Sequence, residues 1–373
     1  MISEVIKETE AFGGVLKDLS LERLVSKPFN SSLYSLRKTE KMCKENELVY
    51  LSSLTQLVNK ANASSSTRTD RTNTGTYSTF GTQCVYDLRK GFPLLTSKKL
   101  SFKNILLELI WFLSGNTNNN WLKERGVNIW SDWENESGEL GPIYGRMWRS
   151  WGSEGIDQIQ KLIHTLQTDP YSRRMIVTGW DPDLLPDTRL SHAENISLGR
   201  QVLPPCHTMW QVYVEDRPIS EILTELKVST GISSHVKRRL KNMSEESVLD
   251  LSETVGIPNK YLDLKLYQRS GDIFLGVPYN IASYATLMVI LGYLGKALPR
   301  HFIHTFGDLH LYSNHLDQAR EQLQRPVHDS PLLYVNVGDS PFINSRYFLE
   351  NPYTCLTLLD YKHEALIQAP IAV

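Results

Sequence analysis

Residues 262–294 read LDLKLYQRSGDIFLGVPYNIASYATLMVILGYL. The stretch up to Gly276 has the character of a strand, and from Ile281 to Leu294 an almost unbroken apolar run follows that is too long for one, so it reads as a buried helix. A strand that feeds a buried helix predicts a sheet with helices laid against it. Outward from there, SFKNILLELIWFLS at 101–114 is apolar nearly all round and reads as a second buried helix, with one acid, Glu108. Further strands are expected in TYSTFGTQCVYDL (76–88), RRMIVTGW (173–180), TMWQVYVE (208–215) and PLLYVNV (331–337). The expected fold class is α+β, a large mixed sheet flanked by helices.

The chain has 373 residues, 41% apolar and 22% charged, with a formal net charge of −1. This suits one large domain or two ordinary ones, and argues against a chain-wide basic face for nucleic acid. No run reaches the roughly 18–20 apolar residues of a membrane span, so no membrane partner is expected. The N-terminus lacks the basic and apolar regions of a signal peptide. Cys43, Cys84, Cys206 and Cys355 have no metal-ligand spacing and read as free thiols in a reducing, cytoplasmic setting, with no metal expected.

Residues 1–46 read as an N-terminal extension and 47–373 as the catalytic domain, with insertions at about 186–200, a polar loop, and 217–260, several short helices. Within the second, ILTELKVSTGISSHVKRRL (222–240) resembles a helix-turn-helix, with Lys237, Arg238, Arg239 and Lys241 toward its second helix. A solvated helical excursion is the plainer reading, and nucleic acid is not expected as a partner.

Three constellations carry chemistry. LPPCH (203–207) holds Cys206 behind two prolines, which stiffen the segment; the thiol is either a nucleophile, given a nearby positive charge, or a buried structural cysteine. Arg71 in DRTNTGT, Arg173 and Arg174 in PYSRRM and Arg269 in YQRSGD each stand near Ser or Thr hydroxyls, a set suited to a phosphate or, singly, to ordinary surface ion pairs. Neither a P-loop nor a dinucleotide fingerprint occurs. Asn280, in LGVPYNIASY, can read the edge of an imide ring or cap the helix that follows. In GDLHLYSNH, His310 and Tyr312 share a face suited to sugar hydroxyls.

Together with FPLLTSKK, ELIWFLSGNTN, VNIWSDW, LGPIYGRMWR, DPYSRRMIV and HTFGDLHLYSNH, these stretches resemble the thymidylate synthase family from about Glu47 to Val373. The resemblance implies dUMP as substrate and 5,10-methylenetetrahydrofolate as co-substrate. It implies that Cys206 adds to carbon 6 of the uracil, with Arg269 favouring the thiolate and binding phosphate alongside Arg71 and Ser270. Arg173 and Arg174 would reach in from the partner subunit of a homodimer. Asn280 would read the uracil edge, Asp272 would orient ring or folate, and His310 and Tyr312 would hold the deoxyribose. Glu108 and Tyr144 would manage protons through ordered water. Ile129, Trp130, Trp133, Leu203, Leu275 and Tyr279 would pack the folate, Lys98 would meet its glutamyl tail, and the Val373 carboxylate would close the site.

Transfer of a methyl group, giving dTMP, is the favoured expectation, because Trp130, Leu203 and the final IAV that shield the intermediate are retained. Hydroxymethylation of dUMP, known in virus-encoded relatives, is the alternative; the compartment would then be the host cytoplasm. It draws on departures from the family pattern: Ser131 for Asp, Met147 for Gln, Asp181 for Asn, Gly271 in RSGD, and the tail DYKHEALIQAP without GYxPxP. A nucleic-acid-binding protein on this scaffold is a third reading.

Overall fold

The computed structural model describes residues 43–63, 67–69, 73–229, 232–336 and 345–371. Arg71, Val373 and residues 1–42 of the expected extension lie outside them. Six strands form the main sheet: β1 (Thr76–Phe80), β2 (Gln83–Asp87), β3 (Ile176–Thr178), β4 (His207–Asp216), β5 (Lys260–Asp272) and β6 (Ala297–Tyr312). Their order is β1-β6-β5-β4-β3, with β2 also pairing β6. The helices used below are α1 (Glu45–Ala63), α2 (Phe102–Ser114), α3 (Tyr144–Arg149), α4 (Ile219–Val228), α5 (Ser234–Arg239), α6 (Glu245–Thr254) and α7 (Gly276–Leu294).

The α+β expectation holds, and the stretch 262–294 is its centre. β5 and β6 are parallel, so their connection must cross over the sheet, and α7 makes that crossover. Every residue from Ile281 to Leu294 is buried, between the sheet and α2, which explains the absence of a polar face. Among the described residues α7 is the one helix long and apolar enough to cross a membrane, and it lies inside the protein. Helix α2 is defined at both ends: the Ser101 hydroxyl accepts from the Asn104 N–H, and Gly115 closes the C-terminus in the left-handed region at φ 81°.

The alternation at 76–88, expected as one strand, is two. Gly81 at φ 82° breaks it and donates its N–H to the Gly307 carbonyl, so β1 and β2 pair separately with 308–312 and 301–305 of β6. The strand expected at 331–337 contributes β7 (Leu332–Val335), which pairs not with the main sheet but with β8 (Leu356–Leu359). Residues 186–200, expected as loop, contain a helix, His192–Ser197, started by a Ser191–Glu194 capping box.

Between antiparallel β4 and β5, helices α4, α5 and α6 gather around Ile222, Leu226, Ile232, Leu240, Val248 and Ile257, an apolar cluster separate from the main core. Buried Arg217 ties this unit to the sheet, donating to Glu225 at 2.8 Å and to the Pro258 carbonyl at 2.6 Å. The sheet face opposite α7 leaves large apolar side chains in solvent: Ile176, Met209, Tyr213 and Tyr267, with Met209 and Tyr267 paired directly across β4 and β5.

Candidate active site

Cys206 ends the proline segment where β4 begins. Its carbonyl accepts the Arg269 N–H of β5 at 2.8 Å, and its own N–H donates to the Tyr144 hydroxyl at 2.9 Å. The β4–β5 register shifts between His207 and Met209, a bulge that re-aims the start of the strand. The Arg269 guanidinium is held by the carbonyls of Pro205 (3.3 Å) and Pro204 (3.0 Å) and brings Nη2 to 3.5 Å from the Cys206 sulfur. A permanent cation at that distance stabilises sulfur as thiolate, the nucleophilic form.

Tyr144, from α3, accepts from two backbone N–H groups, those of Cys206 and, at 3.4 Å, His207. Burial, reinforced by Cys206, pushes its pKa far above the phenol range, so the hydroxyl keeps its proton and can donate it into the pocket. His207 is packed between the rings of Tyr144 and Tyr284, and burial lowers its pKa to about 4; it is a neutral wall beside the thiol. Glu108, carried on α2, accepts the Trp130 indole N–H at 2.9 Å. Burial raises its carboxyl to about 7, against the smaller opposing effect of that hydrogen bond, so it can hold or release a proton near neutrality.

The parallel β5–β6 register sets Ser270 beside Asp308 and Asp272 beside His310. Asp272 accepts the N–H groups of Phe274 (2.9 Å) and Leu275 (3.3 Å). Burial opposes its ionisation, but His315, His310 and the Phe274 N–H outweigh it and hold the carboxyl below its ordinary value. His310 Nδ1 stands 3.2 Å from Asp308, and its ring meets that of Tyr312 edge to face. Asn280 is not the helix cap: Leu275 stands at the N-cap and Asn280 lies inside α7, its Oδ1 accepting from Gln268 Nε2 at 3.1 Å.

Most of these groups meet at a cavity of about 290 Å³, although Arg269, His310 and Tyr312, expected at the site, do not line it. Of the residues expected from sequence, Glu108, Ile129, Trp130, Trp133, Tyr144, Leu203, Cys206, Ser270, Asp272 and Asn280 line it. So do Phe112, Ile143, Gln201 and Gln268, which the sequence reading missed. For Gln268 a signal existed, a buried amide directly before Arg269. Leu275 and Tyr279 pack beside the core without lining the cavity. Arg173 and Arg174 are exposed on the turn before β3. Lys98, expected to meet the glutamyl tail, is 3% exposed, donates to the Phe274 carbonyl, lies 3.6 Å from that ring's centre, and is lowered by burial to about 7.

Of the departures from the family pattern, Ser131, Met147, Asp181 and Gly271 all lie outside the cavity lining. A Cβ at position 271 would stand 3.0 Å from both Phe306 and Val277, so a larger residue there obliges those side chains to shift by a few tenths of an ångström. Asp181 caps a short 3₁₀ turn through the Asp183 N–H.

The family model described as thymidylate synthase matches residues 50–373. A thymidylate synthase of Francisella philomiragia subsp. philomiragia is 38% identical over 304 residues, covering 82% of this chain and 93% of that protein. With the family match spanning the whole sheet and the cavity, and a relative 38% identical over most of both chains, the chain belongs to the thymidylate synthase family.

Proposed function

We propose that the protein transfers a one-carbon unit from 5,10-methylenetetrahydrofolate to carbon 5 of dUMP and completes it as a methyl group. The observation that carries this is the Cys206 sulfur held 3.5 Å from Arg269 at the wall of a cavity that also presents Asn280 and a tryptophan pair. The Cys206 thiolate forms a bond to carbon 6, and the electrons of the 5,6 double bond pass to the carbonyl at carbon 4, where Asn280 supplies a donor. Carbon 5, now nucleophilic, bonds to the methylene carbon. Loss of the carbon-5 proton and of the folate amine leaves an exocyclic methylene; Tyr144 and Glu108 are the proton carriers within reach. Hydride passes from the released tetrahydrofolate to that methylene, Cys206 leaves as the 5,6 double bond re-forms, and the products are dTMP and dihydrofolate.

Trp130, Trp133, Ile129 and Leu203 offer an apolar wall that suits a heteroaromatic ring and excludes water. Water in place of hydride would give the hydroxymethyl nucleotide instead. Methylation is favoured because the departures at 131, 147, 181 and 271 leave the cavity lining untouched. Arg269, Ser270 and Arg71 are assigned to the phosphate, and His310 with Tyr312 to the deoxyribose. A second copy of the chain covers the apolar sheet face of Ile176, Met209, Tyr213 and Tyr267, and brings its Arg173 and Arg174 to the phosphate.

The test is one incubation of the purified protein with both substrates, followed by mass analysis of the nucleotide and absorbance of the folate. A methyl nucleotide with equimolar dihydrofolate supports the reading. A hydroxymethyl nucleotide with tetrahydrofolate left unoxidised replaces it.

A further inference from the structure

An asparagine cannot by its composition tell uracil from cytosine. Uracil offers an acceptor at position 4 and a donor at N3, and cytosine the reverse; a side-chain amide matches either one after turning over by 180°. Discrimination therefore needs something that stops Asn280 from turning.

The surroundings of Gln268 supply it. Gln268 Nε2 lies 3.0 Å from the backbone carbonyl oxygen of Ser270 and 3.1 Å from Asn280 Oδ1. A backbone carbonyl only accepts, so the atom facing it must be the NH2 group, which identifies the two ends of the Gln268 amide without reference to Asn280. Its Oε1 then faces His304 Nε2 at 2.7 Å. That oxygen also only accepts, so the imidazole proton must sit on Nε2. His304 is fully buried on β6, and burial keeps its pKa well below the ordinary value, so the ring is neutral and this is its one N–H. The opposite nitrogen, Nδ1, has no partner among the described residues. With Gln268 donating to it, the Asn280 oxygen is held toward β5 and the Asn280 NH2 group is turned away from it.

We propose that His304 is a positioning residue for pyrimidine selection, acting through Gln268 to lock Asn280 with its NH2 group toward the position-4 carbonyl of uracil. The proposal rests on the dUMP reading above. A bound cytosine meets N–H against N–H, and the locked amide cannot turn to relieve it. A residue three strand positions from Arg269 and outside the cavity lining thereby sets specificity.

The experiment compares kcat/KM and Kd for dUMP and dCMP in the full-length protein and in His304→Phe, which keeps a ring but has no N–H. The expected result is a dUMP:dCMP preference lowered by about tenfold or more, through improved dCMP binding as well as weaker dUMP binding. His304→Gln, which restores a donor, should recover part of the preference, and Gln268→Met should lose it as His304→Phe does. A His304→Phe protein with an unchanged preference overturns the proposal while leaving the dUMP reading intact. Wild-type protein that binds neither nucleotide overturns both. Should His304→Phe fail to fold, ¹⁵N NMR of the wild-type histidines decides: a proton on Nε2 of His304 supports the lock, and one on Nδ1 overturns it.

Discussion

His315 Nε2 stands 2.7 Å from the carbonyl oxygen of Pro370, and the other nitrogen of the same buried ring faces Asp272 at 3.8 Å. A single imidazole thus joins the wall of the cavity to the C-terminal tail. Because the Pro370 oxygen only accepts, Nε2 carries a proton. His315→Phe removes that donor and frees the tail near the site it would close over. The expected outcome is a KM for the folate raised about tenfold and a larger share of hydroxymethyl product, since a loose tail admits water. Product mass analysis across a folate titration checks it; an unaltered product ratio and KM would mean that the tail is held by its other ties, Arg325 to Ala365 and His328 to Glu364.

Cys206→Ala should abolish turnover while keeping dUMP affinity within about threefold, because binding is assigned to Arg269, Ser270 and Asn280 and only bond formation to the sulfur. Equilibrium binding and steady-state assays on the same preparation separate the two. Appreciable turnover in Cys206→Ala would remove the nucleophile assignment.

Glu108 gives a pH prediction with a defined sign. Its folded-state value of about 7 lies above the ordinary 4.5, because burial disfavours the carboxylate. Stability associated with this group is fully present below 4.5 and is lost as pH rises to about 7, a change on the order of 3 kcal/mol. Glu108→Gln cannot ionise, so its stability relative to wild type should increase from pH 4.5 to about 7 and then level off. The same variant should lose an inflection near pH 7 from the kcat profile, together with most of the activity. Denaturant melts at several pH values check the first statement; a stability difference that stays flat with pH would show that Glu108 is solvated.

The residues whose chemistry admits few substitutes were legible in the sequence. Cys206, Arg269, Glu108, Tyr144 and Asn280 are each expected in a role that few residue types could fill, and the fold brings Cys206, Glu108, Tyr144 and Asn280 to one cavity, with Arg269 beside Cys206. Legibility failed where a partner distant in sequence decides the outcome. β6 is the longest strand, yet ALPRHFIHTFG carries a proline, an arginine and two histidines and does not read as one. Arg300 is tolerated there because Asp263 on β5 receives it in two hydrogen bonds, at 3.0 and 2.7 Å. Lys98 is assigned to the glutamyl tail by resemblance, and only the packing of Phe274 against it reveals its burial. Gln268 and His304 acquire meaning only through the β5–β6 pairing that brings them to 2.7 Å.

Asn280→Asp tests the edge-reading role directly. A carboxylate offers acceptors alone, which suits the exocyclic amino group of cytosine and repels the carbonyl of uracil. Relative kcat/KM for dCMP over dUMP should rise by about a hundredfold or more. Unchanged discrimination in a folded Asn280→Asp protein would mean that the pyrimidine edge is read elsewhere.

The helical unit between β4 and β5 should open without the catalytic cavity. Its apolar cluster is its own, and its most buried tie to the sheet is Arg217, whose side chain is 2% exposed and bonded to Glu225 and to the Pro258 carbonyl. Arg217→Met leaves a carboxylate without its cation and a carbonyl without its donor, which costs about 3 kcal/mol. Such a small cluster cannot absorb that loss, whereas the main core shares none of these contacts. Amide exchange in α4, α5 and α6 should therefore accelerate in Arg217→Met by about a hundredfold, with exchange in α7 and the reactivity of Cys206 toward a thiol reagent unchanged. Acceleration that spreads equally to α7 would show instead that the unit and the sheet unfold as one, and that β5, which begins at Lys260 beside the unit and ends at Asp272 in the cavity wall, transmits the loss from one to the other.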